Sequence, residues 1–161
     1  MVRDLRGVKI AVFDLDGTLS DGSQREHFLN TPGEKKRWKE YFDDCHNDTP
    51  IWDVINVHQA LCIAGWHTEI WSGRSEIVRD KTIDWLRKVG INTGEFPNQV
   101  PLRMRGKNDY RDDREVKGDM LDRFMRDTQR IPCIIFDDRN KMVEFWREKG
   151  ITCAQTALGD F

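Results

Sequence analysis

The sequence predicts a single α/β domain with a mainly parallel β-sheet, and three observations carry this prediction. Short apolar runs alternate along the chain with segments whose apolar residues recur every three or four positions. Most of the apolar runs are continuous rather than alternating, which is expected of strands covered by helices on both faces. The length of 161 residues suits one domain, so residues 1–161 are expected to form one unit.

Five short apolar segments are the candidate strands. In chain order they are Lys9–Phe13, His67–Trp71, a weaker candidate at Val100–Met104, Cys133–Phe136 and Thr152–Gln155.

Helical spacing of apolar residues predicts five helices between and after these strands. Ser75 is a candidate N-cap, and glycines at 65, 90 and 150 follow three of the predicted helix ends. The apolar stripes that mark the helices are interpreted as core packing. They run over Trp38–Cys45, Val54–Cys62, Ile77–Val89, Val116–Met125 and Met142–Trp146.

One segment breaks the alternation of strand and helix. Residues at approximately 20–50 are charged, contain Pro32 and Gly33, and include one short amphipathic helix around Trp38. About thirty residues are too few to bury a core of their own. The segment is therefore expected to be a cap or lid inserted over one end of the sheet.

Composition excludes several classes of protein. The longest uninterrupted apolar run, Ile10–Phe13, spans four residues, so no membrane partner or membrane span is expected, and neither is a signal peptide. We therefore expect a soluble, cytoplasmic protein. The 26 Lys and Arg residues are balanced by 28 Asp and Glu residues, so a global basic field for gripping long nucleic acids is absent.

Cysteine and tryptophan residues are interpreted as packing residues. The four cysteines lie far apart without metal-binding spacing, and Cys62 and Cys133 fall inside apolar segments, which suits small core residues in a reducing compartment. The tryptophans expected in the core are Trp52, Trp66, Trp71, Trp85 and Trp146. Trp38 and Tyr41 are left with two interpretations, packing within the insert or stacking on a terminal base.

Polar residues follow each of the first four strands. In open parallel sheets, ligands bind at the carboxyl ends of the strands, so these residues are expected to converge on one crevice. Packing alone does not explain why every one of these apolar strands should end in residues suited to binding phosphate. The segments are Asp14-Leu15-Asp16-Gly17-Thr18, Ser72-Gly73-Arg74, Arg103-Met104-Arg105 and Asp137-Asp138-Arg139.

Four carboxylates in one crevice imply a cation. Two unit charges about 4 Å apart repel by roughly 4 kcal/mol at an effective dielectric constant of 20, so some of the carboxyl groups must protonate or bind a metal ion. Oxygen ligands without a nearby His or Cys favour Mg²⁺. An EF-hand calcium loop is excluded because its glutamate position is occupied by Arg25 and its glycine position by Leu19.

The spacing of these residues also suggests chemical roles. Asp14, at the end of a strand, is held rigidly as a nucleophile, and Asp16 stands where it can transfer a proton. Gly17 permits the turn between them. Ser72 can bind a phosphoryl oxygen, and Lys117 can neutralise the nucleophile and the transferring group.

The four motifs together resemble the signature of the haloacid dehalogenase-like phosphohydrolases. They are Phe13-Asp14-Leu15-Asp16-Gly17-Thr18-Leu19, Trp71-Ser72-Gly73-Arg74, Lys117 and Phe136-Asp137-Asp138-Arg139. Within that superfamily the chain resembles the 3′-phosphatase domain of bacteriophage polynucleotide kinase-phosphatase over nearly its whole length. The features that carry this closer likeness are Arg25, the stretch Arg105 to Lys117, and the tail from Asp137 to Gly159-Asp160-Phe161.

The resemblance implies a fold and a reaction. The fold would be a Rossmann-like three-layer sandwich with a small helical cap insert. Asp14 would form an aspartyl-phosphate, and Asp16 would protonate the leaving hydroxyl and then activate water. Magnesium would be bound by Asp14, the backbone carbonyl of Asp16, and the pair Asp137 and Asp138.

The resemblance also implies roles for the basic residues. Ser72, Gly73, Arg74 and Lys117 match positions that bind the substrate phosphate. Arg25, Arg105 and Asp113 match positions that support activity around that phosphate or orient the lysine. A basic cluster also occurs between 103 and 114, for which a solvated, self-paired loop and a phosphate-backbone contact are nearly level as interpretations. Its members are Arg103, Arg105, Lys107, Arg111 and Arg114.

The expected function is therefore a Mg²⁺-dependent polynucleotide 3′-phosphatase in nucleic acid end repair, acting on 3′-phosphorylated DNA or RNA ends. No G-x-x-x-x-G-K-[ST] motif occurs in the sequence, so a kinase or ligase in the same repair process would be a separate partner. Two alternatives stay open. One is a phosphatase of nucleotides or small phosphorylated metabolites, and the other is a receiver-like phosphoacceptor signalling module.

Overall fold

A computed structural model describes residues 4–94 and 99–159 of the chain. Asp160 and Phe161, which belong to the tail used for the resemblance, lie outside these residues. The strands are β1 (Ile10–Phe13), β2 (Ser20–Asp21), β3 (Thr49–Pro50), β4 (His67–Ser75), β5 (Leu102–Arg105), β6 (Ile134–Arg139) and β7 (Thr152–Gly159). The helices are α1 (His27–Asn30), α2 (Trp38–Asp43), α3 (Trp52–Ile63), α4 (Arg79–Lys88), α5 (Asp113–Thr128) and α6 (Asn140–Glu148).

The main sheet is parallel and has five strands in the order β5-β4-β1-β6-β7. The chain starts in the central strand β1, builds outward to β5, and then returns to the other side of β1 through β6 and β7. The connections therefore diverge at the carboxyl end of β1, which leaves a crevice there. This edge of the sheet is where the sequence motifs end.

The core lies in two layers, one on each face of the sheet. Ile10 and Val12 point toward α5 and α6, whereas Ala11 and Phe13 point toward α3 and α4. Because both faces of β1 are buried, its sequence is continuously apolar, as expected. The structure confirms the α/β fold class and the Rossmann-like three-layer arrangement.

The predicted elements agree with the observed ones, with differences at their ends. All five strands are present, including the weak candidate that is β5. Ser75 does act as an N-cap, although it caps a 3-10 turn at Glu76–Val78 that leads into α4. Helix α5 ends without a glycine, because Gln129 takes the left-handed conformation (φ 56°) that such an end requires.

The segment at 20–50 is built on a short antiparallel pair. Strands β2 and β3 bring its two ends together, with Ser20 opposite Pro50, and short helical turns fill the space between them. The amphipathic helix expected around Trp38 is short, since α2 ends at Asp43 and a 3-10 turn, Asp44–Asn47, continues it. The segment is attached to α4, because the indole of Trp85 donates to the carbonyl of Asp48 at 2.8 Å.

Three residues expected in the core are exposed instead. The side chain of Trp52, at the start of α3, is 52% exposed, and Cys62 and Cys133 are exposed as well. The prediction failed for Trp52 and Cys62 because α3 is apolar around most of its circumference and can bury only one face. Within residues 4–94 and 99–159, no helix has the length and apolar character that crossing a membrane requires.

Candidate active site

Asp14 occupies the carboxyl end of β1, where its backbone amide donates to the carbonyl of Phe136 at 2.9 Å. Its buried carboxylate accepts a hydrogen bond from Lys117 Nζ at 2.7 Å, and the same ammonium donates to Asp137 at 3.1 Å. Lys117 reaches the crevice from the buried face of α5, next to Val116. An isolated helical lysine is usually solvated, but this one is 3% exposed and links two strands.

Asp14, Asp137 and Asp138 form a buried cluster of three carboxylates, with oxygen atoms that all lie within 4.8 Å of one another. Burial raises the pKa of Asp14 well above its usual value, and the neighbouring Asp137 and Asp138 add to this against the opposing Lys117. Burial and the charge of Asp137 also raise the pKa of Asp138, to about 6. The protein therefore holds more negative charge here than Lys117 neutralises, and this donor set fits a divalent cation.

Two residues outside the cluster donate hydrogen bonds to its carboxylates. The indole of Trp146, on α6, donates to Asp137 Oδ2 at 3.3 Å, and Thr18 donates to Asp138 Oδ1 at 3.4 Å. Sequence reasoning assigned Trp146 to the core only. It does pack there, but its single polar atom faces the carboxylate.

Gly17 makes the turn after β1 compatible with the cluster. Its φ of +81° is in the region that favours glycine, and a Cβ atom at this position would overlap the carboxylate of Asp138. The turn closes through hydrogen bonds from the amides of Leu19 and Ser20 to the carbonyl of Leu15, both at 2.9 Å. The sequence predicted the turn, and the structure adds the close approach to Asp138.

Asp16 lies next to the cluster, but its carboxylate faces two arginines instead. Arg25 Nη2 donates to it at 2.6 Å and Arg74 Nη2 at 2.7 Å. Burial alone would raise the pKa of Asp16, but the charges of Arg74 and Arg25 outweigh it and hold the pKa at about 2. The side chain is therefore an ionised carboxylate in this arrangement, and its oxygens are not part of the three-carboxylate cluster.

Asp48 is a site residue that sequence reasoning missed. Its fully buried carboxylate accepts from Arg25 Nε at 2.8 Å and from Arg74 Nη2 at 2.5 Å. Asp16 and Asp48 thus neutralise Arg25 and Arg74 in one network that joins the insert to the main sheet. No pattern in the sequence marks Asp48, because its partners lie 23 and 26 residues away along the chain.

Arg25 and Arg74 were expected near the substrate phosphate, and the structure places both guanidinium groups in this buried network. Neither side chain is solvent-accessible. The ring of Tyr41 covers Arg25, with its centroid 4.2 Å from Cζ, and the ring of Trp38 packs on Tyr41 at 6.0 Å. The two interpretations of Trp38 and Tyr41 were packing within the insert and stacking on a terminal base. The contacts of Tyr41 favour packing.

Ser72 and Gly73 form a tight segment at the end of β4. The buried hydroxyl of Ser72 accepts from the amide of Arg74 at 3.1 Å, and the carbonyl of Gly73 accepts from Arg105 Nε at 2.8 Å. A Cβ atom on Gly73 would lie 3.0 Å from Asp113 Oδ1, so glycine allows Asp113 to approach. Arg105 therefore fixes this segment from the β5 side.

Asp113 is shared by two arginines. One of its oxygens accepts from Arg105 and the other from Arg139, which follows the Asp137-Asp138 pair. Asp113 begins α5, four residues before Lys117. Its two contacts therefore connect the start of α5 with the ends of β5 and β6. The structure thus places Arg105 and Asp113 beside Gly73, at the border of the site.

The basic cluster between 103 and 114 is largely self-paired. Arg103 Nε donates to the buried Glu69 at 2.7 Å, and Arg111 pairs with both Asp109 and Asp119 at 2.7 Å. Arg114 contacts Glu144 and Glu148 more loosely, at 3.6 and 4.0 Å. These contacts favour the self-paired interpretation over a phosphate-backbone footprint for the arginines.

Comparisons with known proteins agree with this geometry. The model of the family described as "Polynucleotide kinase PNKP phosphatase domain" matches residues 8–161. Among solved structures, a chain of the Pnkp1/Rnl/Hen1 complex is 26% identical, with a TM-score of 0.75, and the match covers 96% of this chain and 48% of that one. A chain of the Pnkp1/Rnl/Hen1 RNA repair complex is 26% identical, with a TM-score of 0.74 and coverage of 100% and 46%.

A more distant match has the same fold at almost the same length. A hydrolase from Streptococcus pneumoniae TIGR4 is 12% identical, with a TM-score of 0.58, and 94% of each chain is covered. By contrast, this chain spans about half the length of the chains from the Pnkp1/Rnl/Hen1 complexes.

Proposed function

The chain belongs to the polynucleotide kinase PNKP phosphatase domain family and is a haloacid dehalogenase-like phosphoric monoester hydrolase, and we propose that it removes 3′-phosphates from DNA or RNA ends in a Mg²⁺-dependent reaction. The observation that carries the mechanism is the separation of two kinds of carboxylate at one edge of the sheet. Asp14 lies among Asp137, Asp138 and Lys117, whereas Asp16 lies among arginines.

In the first step, a carboxylate oxygen of Asp14 attacks the phosphorus atom in line with the ester bond. The bond from phosphorus to the ester oxygen breaks as the new one forms, which yields an aspartyl-phosphate. The departing 3′-oxygen takes the proton of the Asp16 carboxyl group. Lys117 stabilises the transferring group by its charge, because its ammonium lies 2.7 Å from Asp14.

In the second step, Asp16 accepts a proton from water, and the oxygen of that water attacks the phosphorus atom. The bond to Asp14 then breaks, inorganic phosphate leaves, and Asp14 returns to its starting state. The ionised Asp16 described above is the form that this second step requires.

Asp16 must be protonated before the first step, and its contacts with Arg25 and Arg74 offer a way for substrate binding to raise its pKa. We infer that a phosphate dianion entering the crevice competes with Asp16 for Arg25 and Arg74. Weaker guanidinium contacts would let the pKa of Asp16 rise from about 2 toward its ordinary value or above. In this proposal Arg25 and Arg74 are positioning residues for Asp16, and they bind phosphate only when substrate enters.

Mg²⁺ would be bound by Asp14, Asp137, Asp138 and the backbone carbonyl of Asp16. It would neutralise the charge of the carboxylate cluster and of the transferring phosphoryl group. The raised pKa values of Asp14 and Asp138 support this assignment, because burial and mutual repulsion both disfavour the ionised carboxylates and a bound cation would offset both.

The family and the relatives support the substrate class. The family takes its name from polynucleotide kinase, and one of the matched structures is an RNA repair complex. We propose that a separate kinase or ligase works with this chain in end repair.

The test is phosphate release by the wild-type protein and by Asp14→Asn, with and without Mg²⁺. We expect fast release from 3′-phosphorylated oligonucleotides, no measurable turnover by Asp14→Asn, and no activity after chelation. Asp53→Asn, an exposed aspartate on α3, is the matched control and should keep full activity.

Three outcomes would contradict the proposal. Preference for 5′-mononucleotides would favour a nucleotide or metabolite phosphatase, and turnover by Asp14→Asn would refute the nucleophile. Stable phosphorylation without release from an aryl phosphate would instead favour the receiver-like alternative.

A further inference from the structure

The loop between β5 and α5 presents a large aromatic side chain to solvent. It covers residues 106–112, and the side chain of Tyr110 within it is 90% exposed. The loop follows the carboxyl end of β5, so it lies at the same edge of the sheet as Asp14. At this exposure the faces of the ring are open to a ligand.

The loop is held in one conformation by its own arginines. Arg105 Nη1 donates to the carbonyls of Asp109 at 3.2 Å and Arg111 at 2.6 Å, which flank Tyr110 on both sides. Arg111 in turn donates to the carboxylate of Asp109 at 2.7 and 3.0 Å. The backbone on each side of Tyr110 is therefore fixed, and ordering the loop costs little when a ligand binds.

Arg105 also connects this loop to the candidate phosphate-binding segment. The same guanidinium that holds the loop donates through Nε to the carbonyl of Gly73 at 2.8 Å. Gly73 lies between Ser72 and Arg74, so one side chain bridges the base of the loop and the segment beside the reacting group. The loop that carries Tyr110 is thus attached through Arg105 to the β4 segment beside the crevice.

We propose that Tyr110 stacks on the nucleobase of the terminal nucleotide and thereby selects nucleotide ends over other phosphate monoesters. This inference rests on the proposed function, because it deepens the assignment of the same site. A 3′-phosphate is joined to a sugar that also carries a base, so the base must pass near the rim when the phosphorus atom reaches Asp14. Every base has a flat apolar face, and a fixed aromatic ring binds such faces without requiring a particular sequence.

The arginines of the loop do not compete with Tyr110 for a ligand. Arg105 and Arg111 are already engaged by carbonyl and carboxylate oxygens, whereas the ring of Tyr110 is open to solvent.

The experiment compares Tyr110→Ala and Tyr110→Phe with the wild type on three substrates. They are a 3′-phosphorylated oligonucleotide, the same oligonucleotide with an abasic tetrahydrofuran residue at the phosphorylated end, and glycerol 2-phosphate, which carries no ring. We expect Tyr110→Ala to raise KM for the normal end roughly five-fold or more with little change in kcat, because stacking is lost. Tyr110→Phe keeps the ring and should behave as the wild type.

The abasic end and glycerol 2-phosphate should show no difference between Tyr110→Ala and the wild type, because neither has a ring that could stack on Tyr110. Ile63→Ala is the matched control, because Ile63 is 89% exposed but precedes the amino-terminal end of β4, at the opposite edge of the sheet. An unchanged KM for the normal end, or an equal loss on all three substrates, would overturn the proposal.

The wild-type protein alone tests the proposed function, whereas the ratio between the variant and the wild type tests Tyr110. If the wild type prefers mononucleotides, the proposed function fails. A Tyr110→Ala effect on mononucleotides and none on glycerol 2-phosphate would then still support stacking, and no effect on either would refute it.

Discussion

At the scale of single residues, the site depends on positions where an additional side-chain atom would not fit. Gly17 combines a left-handed backbone with close approach to Asp138. Gly33 has nearly the same φ, +79° against +81°, but no atom lies within 4 Å of the place where its Cβ would be. The two glycines therefore separate the effect of conformation from the effect of contact.

Gly17→Ala should disturb the carboxylate cluster, and Gly33→Ala should not. We expect each substitution to destabilise the protein by roughly 1–2 kcal/mol, because alanine is disfavoured in the left-handed region. Only Gly17→Ala should also weaken Mg²⁺ binding, because Asp138 must move away from the new methyl group. The measurement is the increase of Tm with Mg²⁺ concentration, and an equal increase in both variants would contradict this account.

At the scale of elements, strand β4 carries a buried acid that the catalytic site does not use. The side chain of Glu69 is inaccessible to solvent and accepts hydrogen bonds from the indole of Trp71 at 2.8 Å and from Arg103 at 2.7 Å. Burial opposes ionisation, but His67, Arg103 and Trp71 outweigh it and lower the pKa of Glu69 from 4.5 to about 2. An ionised Glu69 therefore stabilises the contact between β4 and β5.

Glu69→Gln should lower the free energy of unfolding by roughly 3 kcal/mol at pH 7, the equivalent of that pKa shift. Because the folded pKa lies below the unfolded one, the contribution is complete above pH 4.5 and is lost as the pH falls toward about 2. Urea denaturation from pH 7 to pH 3 should show the gap between wild type and variant shrinking in acid.

Glu76→Gln provides the comparison for that experiment, because Glu76 forms a partly exposed pair with Arg79 at 2.9 Å. Such pairs contribute about 0–1 kcal/mol. A gap for Glu69→Gln that stays constant with pH would show that the carboxylate charge is not the stabilising feature.

At the scale of the whole molecule, the insert and the sheet are joined through charge. Asp48 and Arg25 come from the insert, whereas Asp16 follows β1 and Arg74 lies within β4 of the main sheet. The four groups alternate in sign, so removing one carboxylate leaves buried guanidinium charge without its partner.

Asp48→Asn should destabilise the whole domain by about 3–5 kcal/mol, the usual effect of breaking a buried ion pair. Thermal unfolding measures this, with Asp53→Asn again as the exposed control. The loss should be a single cooperative transition at lower temperature, because the network spans both parts of the chain. Two separate transitions would contradict that coupling and indicate that the insert unfolds independently.

The elements of the fold could be predicted because they depend on local apolar periodicity. Runs such as Ile10–Phe13 must be buried on both faces, and they therefore predict the five strands. Once the strands are located, the sequence also shows that polar residues come after them. The exposed Trp52 and Cys62 show where this reasoning fails, since periodicity does not say which face of an apolar helix finds a neighbour.

The sequence by itself determined the fold class, the motif residues Asp14, Asp16, Lys117, Asp137 and Asp138, and the family resemblance that the comparisons confirm. Only the tertiary structure decided how these charges are divided, with three carboxylates around Lys117 and Asp16 between Arg25 and Arg74. Asp48 and Tyr110 likewise became visible only in space. The physical reason is that motif spacing is local, whereas charge pairing and exposure depend on distances between segments far apart in the chain.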